Sequence, residues 1–328
     1  MGIATAAALS IVASAHAQSI LYYPVSARVT SMAGTGTADN STPSSIVLNP
    51  ANVVGPPRIY VQGAILRTEA IEDFWIRRAN AGASWRFGPV RFGADLAYGR
   101  FNAAGLLDSI SDASTLTQDV VELTSGLGVS IGRNDFLVGL AGKRFVDKQE
   151  TAGSALDSVS TVDKADAFAF DAGAEIRHRA TLQGWDVTTS VGAAVINVGN
   201  DVEHDDGKRH LPRHVNGGLS ISMVSPPVQV FWGAVPLVAF SANVDATRPR
   251  DQDWEWMAGS EIALWQVFFV RSGIHTVTGV EGNDPAQAAW GLGLGLPIRM
   301  LRVRVDYGRD SESFDKLERW ELTLERTF

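Results

Sequence analysis

The residue types that could do chemistry are few in this chain. There is no cysteine, which excludes a thiol nucleophile, thiolate zinc, an iron–sulfur cluster and a disulfide scaffold. The densest group of metal-ligand types is Glu203-His204-Asp205-Asp206, with His210 and His214 nearby. It lacks the fixed histidine spacing of a zinc site and falls between two strand-like stretches, so a solvated loop accounts for it better. Serine is plentiful enough for a Ser/His/Asp triad. The nucleophile elbow of such hydrolases turns from a strand into a helix, however, and helical periodicity persists over three turns nowhere in the chain. Gly126-Leu127-Gly128 and the run from Gly291 to Gly295 fail as dinucleotide loops for the same reason. Asp108, Asp112 and Asp119, and again Asp147, Asp157 and Asp163, lack the dense alternation of a calcium loop and read as solubilising. No cofactor, metal or catalytic residue is expected.

With chemistry unpromising, the elements that would position it carry the argument. The chain has 328 residues and a formal net charge of −8, which argues against a nucleic-acid partner. Glycine is unusually common, at 32 residues. From Ile3 to Ala15 runs a stretch of small apolar residues ending in Ala15-His16-Ala17, the small–x–small pattern cut by signal peptidase. Residues 1–17 are therefore expected to be a secretory signal peptide. Residues 18–57 are rich in Ser, Thr, Gly and Pro and form a separate N-terminal segment. No later stretch reaches the roughly 18 apolar residues of a spanning helix.

From Arg58 to Phe328 the pattern has period two. Phe92, Ala94, Leu96 and Tyr98 alternate with Gly93, Asp95, Ala97 and Gly99; Leu301, Val303, Val305 and Tyr307 alternate with Arg302, Arg304, Asp306 and Gly308. One apolar face and one polar face along long strands mean oil on one side and water or polar protein on the other. The pattern predicts fourteen strands, at 58–68, 74–87, 90–101, 119–131, 135–146, 164–178, 185–196, 214–224, 228–246, 254–264, 266–276, 287–297, 299–308 and 317–328. The ninth is long enough to need a bend near Pro236. Connections alternate between long (102–118, 147–163, 197–213, 277–286) and short (Gly88-Pro89, Ser225-Pro226-Pro227, Trp265), as in an outer-membrane barrel. Trp75, Trp85, Tyr98, Trp185, Trp254, Trp256 and Trp320 fall near strand ends, where interfacial aromatic girdles form. The terminal Phe328 shares a face with Leu322 and Leu324, which is the signal read by the barrel assembly machinery. The expected fold is all-β: a 14-stranded antiparallel transmembrane β-barrel (58–328) with a short lumen-plugging segment (18–57), located in the outer membrane and in contact with its lipid.

The N-terminal segment also carries a family resemblance. Ala27-Arg28, Met32-Ala33-Gly34, Ala38-Asp39 and Leu48-Asn49-Pro50-Ala51 resemble, in order, the opening of PorV/PorQ-type barrels of the FadL-related superfamily. Ala33 stands where that family has Gly, Asn40 where it has a second Asp, and Asn52 where it has Gly. Further short matches follow at Asn197-Val198-Gly199, Leu211-Pro212-Arg213, Gly259-Ser260-Glu261, Val270-Arg271-Ser272-Gly273 and Val305-Asp306-Tyr307. The resemblance implies a 14-stranded barrel whose N-terminal segment enters the lumen, with Arg28, Met32, Gly34, Asp39, Asn49 and Pro50 as its motif residues.

Read from the alternation, Arg91, Asp95, Asp171, Glu175, Glu261, Arg271, Arg302, Arg304 and Asp306 face inward. Both signs are present, which suggests internal ion pairing rather than a selective ring, the alternative being a hydrated lumen with independently solvated charges. Arg28 and Asp39 are expected to pair with these wall charges, and the segment's backbone to lie along Gly291, Gly293 and Gly295. Residues 26–54 should form turns in the periplasmic half of the lumen, because Gly34, Gly36, Pro43 and Pro50 punctuate them. The resemblance implies a non-enzymatic accessory barrel that meets secretion-system components, a cargo protein or a surface complex through its extracellular loops. The alternatives are a FadL-like transporter of hydrophobic small molecules, gated by the N-terminal hatch, and a structural barrel that anchors a surface assembly.

Overall fold

The computed structural model describes residues 19–22, 25–68, 74–104, 114–151, 161–204, 207–230, 233–276, 286–298, 301–310 and 317–328. The expected signal peptide, and Asp108, Asp112, Asp157, Asp205 and Asp206, lie outside these residues.

Each period-two stretch forms a strand, because only a closed sheet satisfies backbone donors and acceptors against oil. The strands are β1 Arg58–Thr68, β2 Trp75–Phe87, β3 Val90–Ala104, β4 Ser114–Ile131, β5 Asn134–Thr151, β6 Thr161–Leu182, β7 Trp185–Gly199, β8 Val202–His204 and β9 Gly207–Arg209. They continue with β10 His214–Val224, β11 Pro227–Val230, β12 Gly233–Pro236, β13 Val238–Pro249, β14 Glu255–Leu264, β15 Phe268–Thr276, β16 Gln287–Ile298, β17 Leu301–Asp310 and β18 Leu317–Thr327. Fourteen of them close into one antiparallel barrel, each next to its neighbour in sequence, with β1 sealed against β18. The pairs β8–β9 and β11–β12 are separate two-stranded hairpins.

The outer face carries exposed Leu96, Leu123, Leu140, Phe170, Val191, Leu219, Val270 and Leu292, which in water would be a large aggregation surface. On a barrel they form the lipid-facing band. Aromatic side chains bound that band. Trp75, Tyr98, Trp256, Trp290 and Trp320 stand near the loop end, with Trp85, Phe87, Trp265 and Phe328 near the end that holds the C-terminus. Trp290, Tyr307 and Trp320 stack in a row across three strands, with ring centroids 5.5 and 4.9 Å apart.

Three expectations need correction. The stretch 228–246 is not one bent strand. Pro227–Pro236 folds back on itself as the β11–β12 hairpin, and the barrel strand begins only at Val238. Ser225-Pro226-Pro227 is accordingly the start of a hairpin and not a short turn. The barrel still closes there, because the Ser225 amide donates to the Val238 carbonyl at 2.9 Å. A proline on a two-stranded edge leaves no ladder bond unmade, which is why this hairpin can hold Pro227 and Pro236. Finally, β3 to β7 run past the oil-facing band, so the stretches 102–118 and 147–163 are partly strand.

Candidate functional site

The lumen is filled by the N-terminal segment. Ser19–Tyr22 is a single helical turn near the loop end, where the Ile20 amide donates to Gln118 Oε1 at 3.3 Å. Ile20 and Val25 join a buried apolar cluster with Leu66, Ile76, Phe101, Val120 and Phe145. A short helix follows over Ala27–Ser31, capped by Ser26, whose Oγ accepts from the Val29 amide at 3.2 Å. Ala33 and Gly34, at φ +58° and +86°, then turn the chain. Two 3-10 turns, Pro43–Val47 and Pro50–Val53, carry it toward the end that holds the C-terminus.

Glycines in the wall set this path. A Cβ at Gly308 would overlap the Ala27 carbonyl, one at Gly139 would overlap Pro50, and one at Gly173 would overlap the Asn49 side chain. Gly93 and Gly126 admit Val53 and Val54 in the same way. Of the glycine stripe in β16, Gly291 alone meets the segment, through Ser31. Gly293 instead makes room for Asp306 and Arg271, and Gly295 for the Gln266 carbonyl and Phe269. The segment is also not confined to one half of the barrel, since it runs from the loop-end cluster to Val54. Nor is it all turn: Ala27–Ser31 is helical because capping and a run without Gly or Pro permit it.

Asn49 is extended, as a residue before proline must be, with φ −156°. Its side chain accepts from the Ala51 amide at 3.0 Å and donates to the Thr37 and Ala174 carbonyls at 2.8 and 3.1 Å. It thus ties the two ends of the plug loop to β6. Asp245 on β13 does a related task, accepting the Gly36 and Thr37 amides at 2.8 Å each.

A chain of alternating charges crosses the lumen. Arg28 contacts Asp39 at 2.9 Å and Glu261 at 3.0 Å. Glu261 also holds Arg271 at 2.5 Å, which reaches Asp306 at 2.8 Å. Asp306 takes Arg304 at 2.7 Å, and Arg304 lies 3.9 Å from Glu321. Asp39 therefore pairs with Arg28 of its own segment and not with a cation of the wall. Burial alone would raise the Asp39 carboxyl, but Arg28 and the Ser41 amide, 2.9 Å away, hold it below the usual carboxylate range. Burial likewise works against the charge on Arg28, and the two carboxylates more than offset it.

The other inward charges sit apart. Asp95 accepts Tyr60 at 2.6 Å and Asn80 at 2.9 Å. Asp171 holds Lys143 at 2.6 Å. Arg91 and Arg177 converge on Asp135, at 3.5 and 3.9 Å, and Arg177 also meets Glu175 at 3.5 Å. Arg302 bonds Gln266 and lies 3.9 Å from Glu325. Met32 is fully buried against Gly259 and Gly273, and Gly34 faces Met257. Asp135, Asp245, Lys143 and Glu321 were not singled out in the sequence, although the same alternation would have placed each of them inward.

Above the plug lies a cavity of about 210 Å³. Ile20, Leu21, Val25, Met257 and Ile196 supply apolar wall, while Asn197, His214, Asn216 and His275 supply polar atoms. The charges at its margin have their own partners: Arg78 with Glu122 at 2.9 Å, Lys143 with Asp171, and Arg319 with Asp310 at 2.7 Å. Glu255, the remaining carboxylate of the lining, lies 3.3 Å from His275 Nε2.

Among the described residues the candidate metal ligands do not converge. His204 is buried with its two ring nitrogens on different carboxylates, Asp163 at 3.0 Å and Asp147 at 3.3 Å. His210 meets Asp201 at 2.7 Å, and His214 turns toward the cavity. Among the described residues no group of three such side chains could hold a metal ion. Gly128-Val129-Ser130-Ile131-Gly132 has the residue spacing of a nucleophile elbow. It turns from one strand into another, and Ser130 donates to Asp135 at 2.6 Å.

By sequence, no family model and no curated protein matches this chain. Solved structures do. The toluene transporter TbuX of Ralstonia pickettii superposes with a TM-score of 0.53 at 10% identity, covering 94% of this chain and 98% of that one. The toluene transporter TodX of P. putida gives 0.53 at 10% identity, over 94% and 99%. The deltaS2S3 mutant of TodX, a monoaromatic hydrocarbon channel, gives 0.54 at 9% identity, over 92% and 98%. At such identities the likeness is one of fold alone: this chain closes into a β-barrel like those of these hydrocarbon transporters.

Proposed function

We propose that the protein is a non-enzymatic outer-membrane barrel that admits small hydrophobic molecules, with the N-terminal segment as its hatch. Both termini of the barrel face the periplasm, and the ends that carry β8–β9 face outward. The carrying observation is the position of the 210 Å³ cavity: it lies on the loop side of the plug, and Ile20, Leu21 and Val25 of the segment form part of its wall. A ligand there touches the element that closes the path, so its binding is coupled to the hatch by contact. The apolar wall, with most of the marginal charges paired to one another, suits an uncharged, largely apolar guest. The shared fold with toluene transporters supports the same direction. Of the two main expectations drawn from the sequence, these features favour the transporter over the secretion accessory.

The test is uptake of a monoaromatic hydrocarbon into proteoliposomes. The native protein should accelerate uptake over protein-free vesicles. Met257→Trp, which fills the cavity from β14, should abolish most of the acceleration while leaving assembly intact. Uptake equal to that of empty vesicles, together with recovery of an exported protein bound to the barrel, would favour the accessory role instead.

A further inference from the structure

Outward-facing cations near the loop-end girdle mostly have carboxylates beside them. Arg309 and Arg67 both stand opposite Glu318, and Arg144 lies 3.7 Å from Asp166. Between β2 and β3 a cation also meets a cation. Arg77 stands directly opposite Arg100, and its neighbour on the other side is Ile65. Like charges opposed on one face of a sheet are destabilising. On its other side Arg100 faces Asp119 across β3–β4, 4.0 Å away, and that carboxylate also accepts the Tyr98 hydroxyl. Arg77 lies over the Trp75 ring, 4.3 Å from its centroid, and among the described residues no carboxylate is recorded against it.

Next to this pair the oil-facing wall is indented. A groove of about 600 Å³ is lined by Gly63, Ala79, Ile65 and Leu322, with Arg77 and Arg100 at its rim. A Cβ at Gly63 would meet nothing within 4 Å, so the indentation is open space and not a pit occupied by a neighbour. Trp75, Tyr98 and Trp320 border the groove at the level where lipid headgroups meet the band.

We propose that this is a binding site for a phosphorylated lipid of the outer leaflet, its phosphate between Arg77 and Arg100 and an acyl chain in the groove. Two guanidinium forks match phosphate geometry, and an anion between them turns a repulsive pair into two charge-assisted contacts. The groove supplies what a free anion would not use, an apolar trough leading from the charged rim into the band. The site rests on the outer-membrane placement proposed above but not on transport, because it lies on the opposite side of the wall from the hatch.

The test is native mass spectrometry of the mature barrel in detergent, titrated with lipid A, with the same glycolipid stripped of its phosphates, and with inorganic phosphate. The phosphorylated glycolipid should be retained, and the stripped one held about tenfold more weakly. The double variant Arg77→Gln/Arg100→Gln should lose about the same factor while keeping its heat-modifiable fold, since it removes a repulsion. Gly63→Phe should weaken lipid retention with both charges in place. Arg144→Gln, whose charge already has Asp166, should leave it unchanged. Equal retention of the stripped glycolipid, or an unchanged double variant, would overturn the site. Inorganic phosphate held as tightly as the lipid would overturn the lipid assignment. Whether uptake of hydrocarbon succeeds or fails has no bearing on any of these results.

Discussion

The two ends of the luminal segment are held by different means. From Ala27 to Val54 the backbone itself is pressed into glycine pits of the wall, and Arg28, Asn49 and the Gly36 and Thr37 amides bind wall groups directly. At Ile20 and Leu21 the contacts are apolar side chains and one backbone bond to Gln118; the cavity borders both stretches, and here no glycine pit seats the backbone among the described residues. Where backbone meets backbone, position is fixed to a fraction of an ångström and a single added methyl is not tolerated. Where side chains meet a partly empty space, several placements cost nearly the same. In the hatch proposed above, closing the lumen and responding to a guest would then be separate duties of one segment: the glycine-seated part would seal, and Ser19–Tyr22 would be the part that moves.

Deletions should break or sharpen this division most strongly. Removing residues 18–52 should raise planar-bilayer conductance from near zero to that of an open pore. Removing 18–25 alone should leave most of the block in place. Gly173→Val, which sets a side chain against Asn49, should raise conductance, whereas Gly217→Val, with no neighbour within 4 Å of its added Cβ, should not. If loss of 18–25 opens the pore as fully as the long deletion, the glycine-seated part does not seal.

Arg28→Met comes next. It strands Glu261 and Asp39, and breaking a buried pair from one side costs about 3–5 kcal/mol. Thermal unfolding in detergent should shift downward, and the segment should become open to protease. An unchanged transition would mean that water, and not Arg28, compensates these carboxylates.

The wall offers a smaller contrast. Val303 faces lipid between Leu296 and Leu324, so Val303→Arg should cost about 2–4 kcal/mol near the midplane and impair assembly. Deleting Phe328, the proposed assembly signal, should impair insertion by a separate route. Arg304→Gln should cost less than Val303→Arg, because Asp306 keeps Arg271 at 2.8 Å and glutamine can still donate. Equal damage at both positions would show that the register of β17 is reversed.

These contrasts also mark what the sequence made legible. Period two places Val303 outward and Arg304 inward without any structure, because a barrel strand has only two faces. It could not foresee the β11–β12 hairpin, since Val228 to Phe240 is as apolar as a lipid-facing strand and only pairing distinguishes the two. The plug motif located Arg28 and Asp39 but not their partners. Their separation of 11 residues says nothing about a turn at Ala33 and Gly34 that brings them to 2.9 Å. Glycine gave a mixed signal. The stripe in β16 was conspicuous because it is consecutive on one face, yet the decisive pits at Gly93, Gly139, Gly173 and Gly308 are scattered over separate strands. Only closure of the sheet brings them to one wall.

The smallest effect is that of pH on the seal. A carboxyl whose folded pKa is depressed stabilises the folded arrangement above its unfolded value, near about 4, and loses that stabilisation as pH falls through the lower folded value. Asp39 is such a group, and Arg28, raised by its two carboxylates, keeps its charge throughout. The Arg28–Asp39 contact should therefore be at full strength from neutral pH down to about 5, and should weaken only in stronger acid. Conductance through the intact barrel should stay low over that whole range, whereas an Asp39→Asn variant should leak slightly at neutral pH and change little on acidification. A seal that opens between pH 7 and 5 would place the controlling group elsewhere.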